Sequence, residues 1–322
     1  MFASIRIRVA TGIGAITFVK YMATAMRSPL ICEAKTSFST ASQYTPSPST
    51  GKQSTHDDIT PEKTAAIERM IVDFPKNNWA WNVGSVGIIF TVGMACKLFL
   101  KWCTTTTLYG HEAFFDILMD PNRKRPLVTV SNHTSVLDDP LLWGILPCRA
   151  FWNLHHMRWT LGAQDICFTN PIFSTFFALG QTIPTIRGNG ILQPAMNFAL
   201  EKLGEGKWVH IYPEGKVNQT LERIRYKWGV GRLIMESEIP PIVIPMWHEG
   251  MDQVKPLGKL LPRLFKPVTV AFGDPIDFED LLDEYRQGKL DEMTTRIRVT
   301  SRIMEVMDVL ASKIQETIRQ QA

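Results

Sequence analysis

The sequence predicts an α/β fold built around one sizeable domain, and three observations carry that expectation. Short β-like runs recur at 128–130, 183–186, 208–211, 242–246 and 268–272. Stretches of helical periodicity separate them, which is the alternation that builds an α/β sheet. The length of 322 residues and hydrophobic content of 45% supply enough apolar surface for one such domain with appendages.

Along the chain, residues 1–34 carry Arg6, Arg8, Lys20 and Arg27 among apolar residues, with the first acidic residue at Glu33. That composition predicts a mitochondrial targeting segment. Residues 35–74 follow as a linker without a core, since 11 of the 20 residues from 36 to 55 are Ser or Thr. Segment 75–104 reads as a membrane-associated helix, because 20 uncharged residues including Trp79 and Trp81 lie between Lys76 and Lys97. Its length admits a tilted span, while Gly84, Gly87, Gly93 and the nearby asparagines equally admit a helix dipping into one leaflet.

The remaining domain, 105–322, contains the β-like runs. Within it, 166–186 is uncharged and aromatic but is broken by Pro171, Gly180 and Pro184, so it cannot form a clean span. Phe173, Phe176 and Phe177 are candidates for membrane contact or an acyl groove, with an ordinary buried helix as the alternative. Near the C-terminus, Val299, Ile303, Val306, Leu310 and Ile314 recur at helical spacing and predict an amphipathic packing helix.

A net charge of +4 is too weak to argue for nucleic acid and is compatible with an anionic membrane. Five scattered cysteines with no Cys-x-x-Cys pair indicate neither a disulfide framework nor a zinc site.

The chemistry concentrates where the 127–130 run delivers Ser131 and Asn132 into a turn, followed by His133, Asp138, Asp139 and Pro140. A carboxylate one turn away can accept the imidazole Nδ1–H and leave Nε2 free to take a proton from a hydroxyl. The spacing alone is weak, because His111 and Asp116 share it without a preceding strand. No Gly-x-Ser-x-Gly elbow occurs, so the substrate would bring its own nucleophilic oxygen.

Three further clusters end predicted strands. Arg187 is the first cation after a long apolar run and suits phosphate binding or a surface ion pair. Pro213, Glu214, Gly215 and Lys216 form a sharp turn that can present N–H groups, a carboxylate and a cation to a glycerophosphate. Arg223, Arg225, Lys227 and Arg232 then alternate with Ile224, Tyr226 and Trp228, as a face for anionic headgroups or simply for water. Pro245 interrupts the 242–246 strand and predicts a sheet edge or a bend lining a cleft. His133, Asp138, His210, Glu214 and His248 are permitted metal ligands, but no metal box is recognisable and no metal is expected.

Asn132-His133-x4-Asp138, the Arg187 segment, Pro213-Glu214-Gly215 and the Pro245 strand, in this order, resemble the four blocks of the glycerolipid acyltransferase superfamily. The strings at 157–160, 165–169, 208–218 and 225–233 are similar to those of its phospholipid–lysophospholipid transacylases, which remodel cardiolipin in mitochondria. The resemblance implies a mixed β-sheet flanked by helices and an acyl exchange that needs no acyl-CoA or other cofactor. It implies attachment to a mitochondrial membrane, peripheral or half-inserted and facing the intermembrane space.

On these residues the resemblance makes His133 the general base and Asp138 its orienter. It makes Asn132, Arg187, Glu214, Gly215 and Lys216 substrate contacts on the headgroup side and Pro245 part of the acyl-side wall. The partners implied are phospholipid and lysophospholipid in an anionic, cardiolipin-containing membrane, with a homo-oligomer or membrane complex compatible and no nucleic acid. An acyl-CoA-dependent lysophospholipid acyltransferase and a non-catalytic lipid-binding protein are the alternatives.

Overall fold

The structure is a computed structural model that describes residues 5–6, 69, 78–220 and 222–321. Nearly all of the expected linker and of the expected targeting segment lies outside the described residues. A mixed sheet with strand order β1-β2-β8-β7-β3-β6-β4-β5 forms the middle layer, as the resemblance implies. The strands are β1 (Ile5–Arg6), β2 (Thr104–Tyr109), β3 (Leu127–Ser131), β4 (Arg158–Ala163), β5 (Thr182–Thr185), β6 (Trp208–Ile211), β7 (Ile242–Glu249) and β8 (Lys266–Phe272). β3 pairs in parallel with β6 and β7, whereas β7 and β8 run antiparallel.

Strand alternation sorts side chains into two cores. Leu127, Trp208, Ile244 and Met246 face a layer made by α1 (Trp79–Cys103), α2 (His111–Met119) and α3 (Asp138–Ile145). Val128, Val130, Val209, Ile211 and Val243 face the opposite layer. There α6 (Pro194–Gly204), α7 (Gly229–Met235), α9 (Glu279–Arg286) and α10 (Glu292–Gln321) supply the partners. The short helices α4 (Gln164–Cys167) and α8 (Met251–Val254), with α5 (Pro171–Leu179), complete the chain order. In α10 the predicted apolar face is present, except that Val306 is half-buried and Met307 takes the core position.

Helix α1 is long and apolar enough to cross a membrane, yet much of it is built into the domain. Asn78 caps it, accepting from Ala80 N at 3.0 Å, and it runs directly into β2. Ile89, Val92, Cys96, Phe99, Leu100 and Cys103 are buried, and Gly144 of α3 approaches so closely that a Cβ there would stand 2.7 Å from the Cys96 carbonyl carbon. Of the aromatic residues expected at the membrane, Trp79 is 78% exposed. Trp81, Phe176 and Phe177 are half-buried against the two cores and Phe173 is half-buried on α5, so these rings are shared between core and surface. Val83, Trp152 and Ile172 are exposed apolar side chains there.

The expectation for Pro245 is corrected. It sits in β7, inside the sheet, opposite Val130 of β3. Its carbonyl accepts from Gly273 N at 2.9 Å, so its N side also faces the point where β8 ends and no ladder donor is lost. A Cβ on Gly273 would come within 2.8 Å of the Pro245 ring, so glycine completes this junction.

Candidate active site

Strand β3 ends at Ser131, and the chain turns through 132–137 into α3, whose first residue is Asp138. The turn is held by that carboxylate. Asp138 Oδ2 accepts from Thr134 N at 2.7 Å and Ser135 N at 2.8 Å, and lies 2.9 Å from His133 Nδ1. A carboxylate at a helix N-terminus is favoured by the helix dipole and by unpaired N–H groups. Because Asp138 accepts, His133 carries its proton on Nδ1, and Nε2 has no partner among the described residues. The His133 side chain keeps 21% of its surface, so that nitrogen is open to a substrate hydroxyl.

The same oxygen meets a second imidazole. His248 Nε2 lies 3.4 Å from Asp138 Oδ2 and 2.9 Å from the Asn132 carbonyl. Both His248 and Asp138 are buried. Burial by itself would raise the Asp138 pKa, but the charge of His248 and the hydrogen bonds of both histidines hold it well below the ordinary 3.8. Burial works to lower the His248 pKa, and Asp138 outweighs it and raises it above 6.5.

His133 also rests on a stack. Its ring lies 4.3 Å from that of Tyr212, which follows β6, at an interplanar angle of 23°. His210 also meets Tyr212, edge-on at 4.6 Å, and its Nδ1 is 2.6 Å from Thr129 Oγ1. Burial pushes His210 down to about 3, so it is a neutral packing residue.

Several expected substrate contacts are occupied by the protein itself. Asn132 spends its amide on His248, donating to its carbonyl at 2.9 Å and accepting from its N–H at 3.0 Å, which ties β3 to β7. Glu214 is buried, and its Oε1 accepts the His133 backbone N–H at 3.1 Å. Burial raises its pKa above 4.5, against the smaller opposing pull of its hydrogen bonds. Gly215 adopts φ +69°, a conformation suited to glycine, and its N–H closes the turn onto the Tyr212 carbonyl at 3.1 Å. Asn218 N then donates to the His133 carbonyl at 2.6 Å. The Glu214 turn thus shapes the backbone of His133, while Lys216 is exposed.

The structure does not bring Arg187 to this turn. It follows the edge strand β5, three strand spacings from β3 or about 14 Å, and pairs with Asp165 at the surface. In the basic strip, Arg223, Arg225 and Lys227 are exposed, but Arg232 is buried and held by Glu236, Asn197 and the Ile191 carbonyl. The decoy pair separates: His111 and Asp116 occupy one helix, about 140° apart around its axis.

Three residues near the site are not marked as functional by the sequence. Tyr212 stands out only as the residue after a β-like run, and His248 only as a metal option. Arg158 is buried, bonds Asp139 and the Gly180 carbonyl, and stacks 4.4 Å over Trp143, fixing the start of α3 to β4. An alternating pattern with arginine at a buried position gave no signal for this.

Beside the turn lies an open cleft of about 640 Å³, bordered by Asn132, Thr134, Glu214, Tyr226 and Trp247, with Met304 of α10 on its wall. A base with one committed and one free nitrogen can activate a hydroxyl for attack on an ester.

Comparison with known proteins agrees. An Acyltransferase family model matches residues 111–249, the segment holding His133, Asp138, Glu214 and His248. Tafazzin of Drosophila melanogaster is 40% identical over 241 residues, covering 74% of this chain and 64% of that protein, so the match spans just under two thirds of its length. The Dictyostelium discoideum protein named Taffazin is 39% identical, covering 70% of this chain and 80% of that one. N-acylphosphatidylethanolamine synthase of Arabidopsis thaliana is 39% identical, with 60% and 70% covered. The chain therefore belongs to the tafazzin family of acyltransferases.

Proposed function

We propose that this protein is a CoA-independent transacylase that moves an acyl chain from a phospholipid to a lysophospholipid, with monolysocardiolipin as acceptor. The observation that carries the reading is the His133 imidazole, held through Nδ1 by Asp138 with Nε2 unengaged. Nε2 takes the proton of the acceptor's free glycerol hydroxyl, and the oxygen attacks the donor's ester carbonyl. The tetrahedral intermediate collapses with cleavage of the donor's C–O bond, and the imidazolium returns the proton to the departing glycerol oxygen. One ester is exchanged for another, so no energy-supplying cofactor enters the balance. Asp138 stabilises the transient imidazolium, while Glu214, Asn132 and Tyr212 keep the ring in place.

The setting proposed is a mitochondrial membrane, attached peripherally or half-inserted and facing the intermembrane space. The exposed Trp79 and Val83 of α1 support attachment. Protection of an N-terminal epitope from protease in intact mitochondria, lost when the outer membrane is opened, tests the orientation.

The activity is tested by incubating purified protein with phosphatidylcholine and monolysocardiolipin, with and without CoA. Acyl exchange without CoA is expected. Strict dependence on added acyl-CoA would replace this reading with an acyl-CoA-dependent acyltransferase. Phosphatidylethanolamine added as a competing acceptor probes the amine chemistry in the Arabidopsis relative's name, and an N-acyl product would reassign the acceptor.

A further inference from the structure

Between β7 and β8 the chain makes a loop, 255–265, with an unusual surface. Leu257, Leu260, Leu261 and Phe265 are exposed, Phe265 by 72%. Lys259, Arg263 and Lys266 are interleaved with them, and the sequence has no acidic residue between Asp252 and Asp274. None of these three cations forms an ion pair among the described residues.

The loop is held rather than loose. Arg263 N donates to the Val254 carbonyl at 2.7 Å, Leu257 N to Gln219 Oε1 at 2.8 Å, and Phe265 N to the Cys103 carbonyl at 2.6 Å. Lys255 is buried and its ammonium bonds the Lys259 carbonyl. Phe265 adopts φ +59°, an unfavourable conformation for an aromatic residue, while its ring stays in solvent. A backbone pinned to present apolar side chains to water spends stability that burial elsewhere could return.

The loop also belongs to the catalytic edge. β7 runs toward that edge, with Ser131 opposite Met246, so His248 stands level with His133. His248 pairs with Val270 of β8, and Lys266 lies four residues outward, about 13 Å beyond His133. The loop base is bonded to the catalytic turn: Gln219 Nε2 donates to the carbonyls of Thr134 at 2.7 Å and Lys255 at 3.2 Å. Ser135 Oγ donates to that same Lys255 carbonyl at 3.3 Å.

We infer that loop 255–265 docks on an anionic phospholipid surface, its leucines and Phe265 entering the headgroup region and Lys259, Arg263 and Lys266 meeting lipid phosphates. The mixture of apolar and cationic groups fits that surface on both counts. The inference deepens the transacylase reading and rests on it for its consequence: docking here sets the His133 opening against the layer that holds its substrates.

The test uses the full chain and phosphatidylcholine vesicles with and without phosphatidylglycerol. Lys259→Glu with Arg263→Glu should lower partitioning onto the anionic vesicles by roughly tenfold or more. Leu260→Ser with Leu261→Ser and Phe265→Asn should lower it on both vesicle types, and asparagine tolerates the positive φ. Exchange on anionic vesicles should fall in parallel, while exchange in detergent micelles and thermal stability are retained. Unchanged partitioning of both variants would overturn the docking inference whatever the activity. Unchanged partitioning with a shift from oligomer to monomer would likewise overturn it, in favour of a contact with a second copy. Absence of exchange by the parent protein in micelles would instead count against the transacylase reading, and the vesicle arm would still decide the loop.

Discussion

His111 with Asp116 and His133 with Asp138 share one spacing and end in opposite situations. The first pair lies within a regular helix, where five positions turn the side chains about 140° apart, and His111 meets its neighbour Glu112 at 3.2 Å instead. The second pair straddles a strand end and a helix start, and the irregular turn folds the carboxylate back onto the ring at 2.9 Å. A spacing becomes a dyad only when the backbone between its members reverses, and the bonds from Thr134 and Ser135 to Asp138 enforce that reversal here.

The largest test of this difference replaces each histidine in turn. His133→Ala should lower exchange by about 10²–10⁴-fold, the contribution of a positioned base. His111→Ala should leave the turnover number intact, and an equal loss at both positions would erase the distinction.

Asp138→Asn is expected next, at up to about 10⁴-fold, because an amide cannot fix the tautomer or stabilise the imidazolium. It should also change acid stability. The Asp138 pKa is depressed in the folded state, so its contribution is present above the ordinary 3.8 and is lost as pH falls through the lower folded value. Thermal melts across pH should show that acid limb in the parent and a flatter one in the variant. His248 runs the other way, its contribution complete below 6.5 and lost as pH rises through the raised folded value, so His248→Gln should flatten the limb above neutrality.

Glu214 separates support from ligand binding. Glu214→Ala leaves the His133 N–H without its acceptor and should cost about 1–3 kcal/mol in thermal or denaturant unfolding. Glu214→Gln keeps an acceptor and should retain most of the exchange. Since burial raises the Glu214 pKa, its favourable contribution lies below 4.5 and is lost as pH rises, so the glutamine variant should hold or gain relative stability in alkali. A large rise in KM with unchanged stability in Glu214→Gln would return this residue to the headgroup contacts.

The smallest effect is expected at Arg187. Its exposed pair with Asp165 is worth at most about 1 kcal/mol, and Arg187→Ala should leave the turnover number unchanged. A selective loss of affinity for acidic acceptors in steady-state kinetics would show that a bound lipid reaches across to β5.

The sequence made the sheet legible where strands are apolar. The 208–211 run is reproduced residue for residue, and 268–272 extends only to Lys266. β2 and β4 were not legible, because Thr104–Tyr109 is mostly threonine and β4 buries Arg158. In the site, residue types announced His133 and Asp138, but the same polarity made Asn132 and Glu214 look like substrate contacts. Nothing in a one-dimensional pattern says whether an amide or carboxylate will be used by a ligand or by the next strand.

By itself, the sequence determined the α/β class, the family and the two residues proposed as base and orienter, since these depend on local periodicity and on motifs that lie within a few residues. Only the tertiary structure decided that Asn132 clamps β3 to β7, that Glu214 braces the His133 backbone, that His248 shares the Asp138 oxygen, and that loop 255–265 stands beside them. The physical reason is pairing across the sheet: β3, β6 and β7 are far apart in sequence, and their hydrogen bonds alone fix which side chains meet.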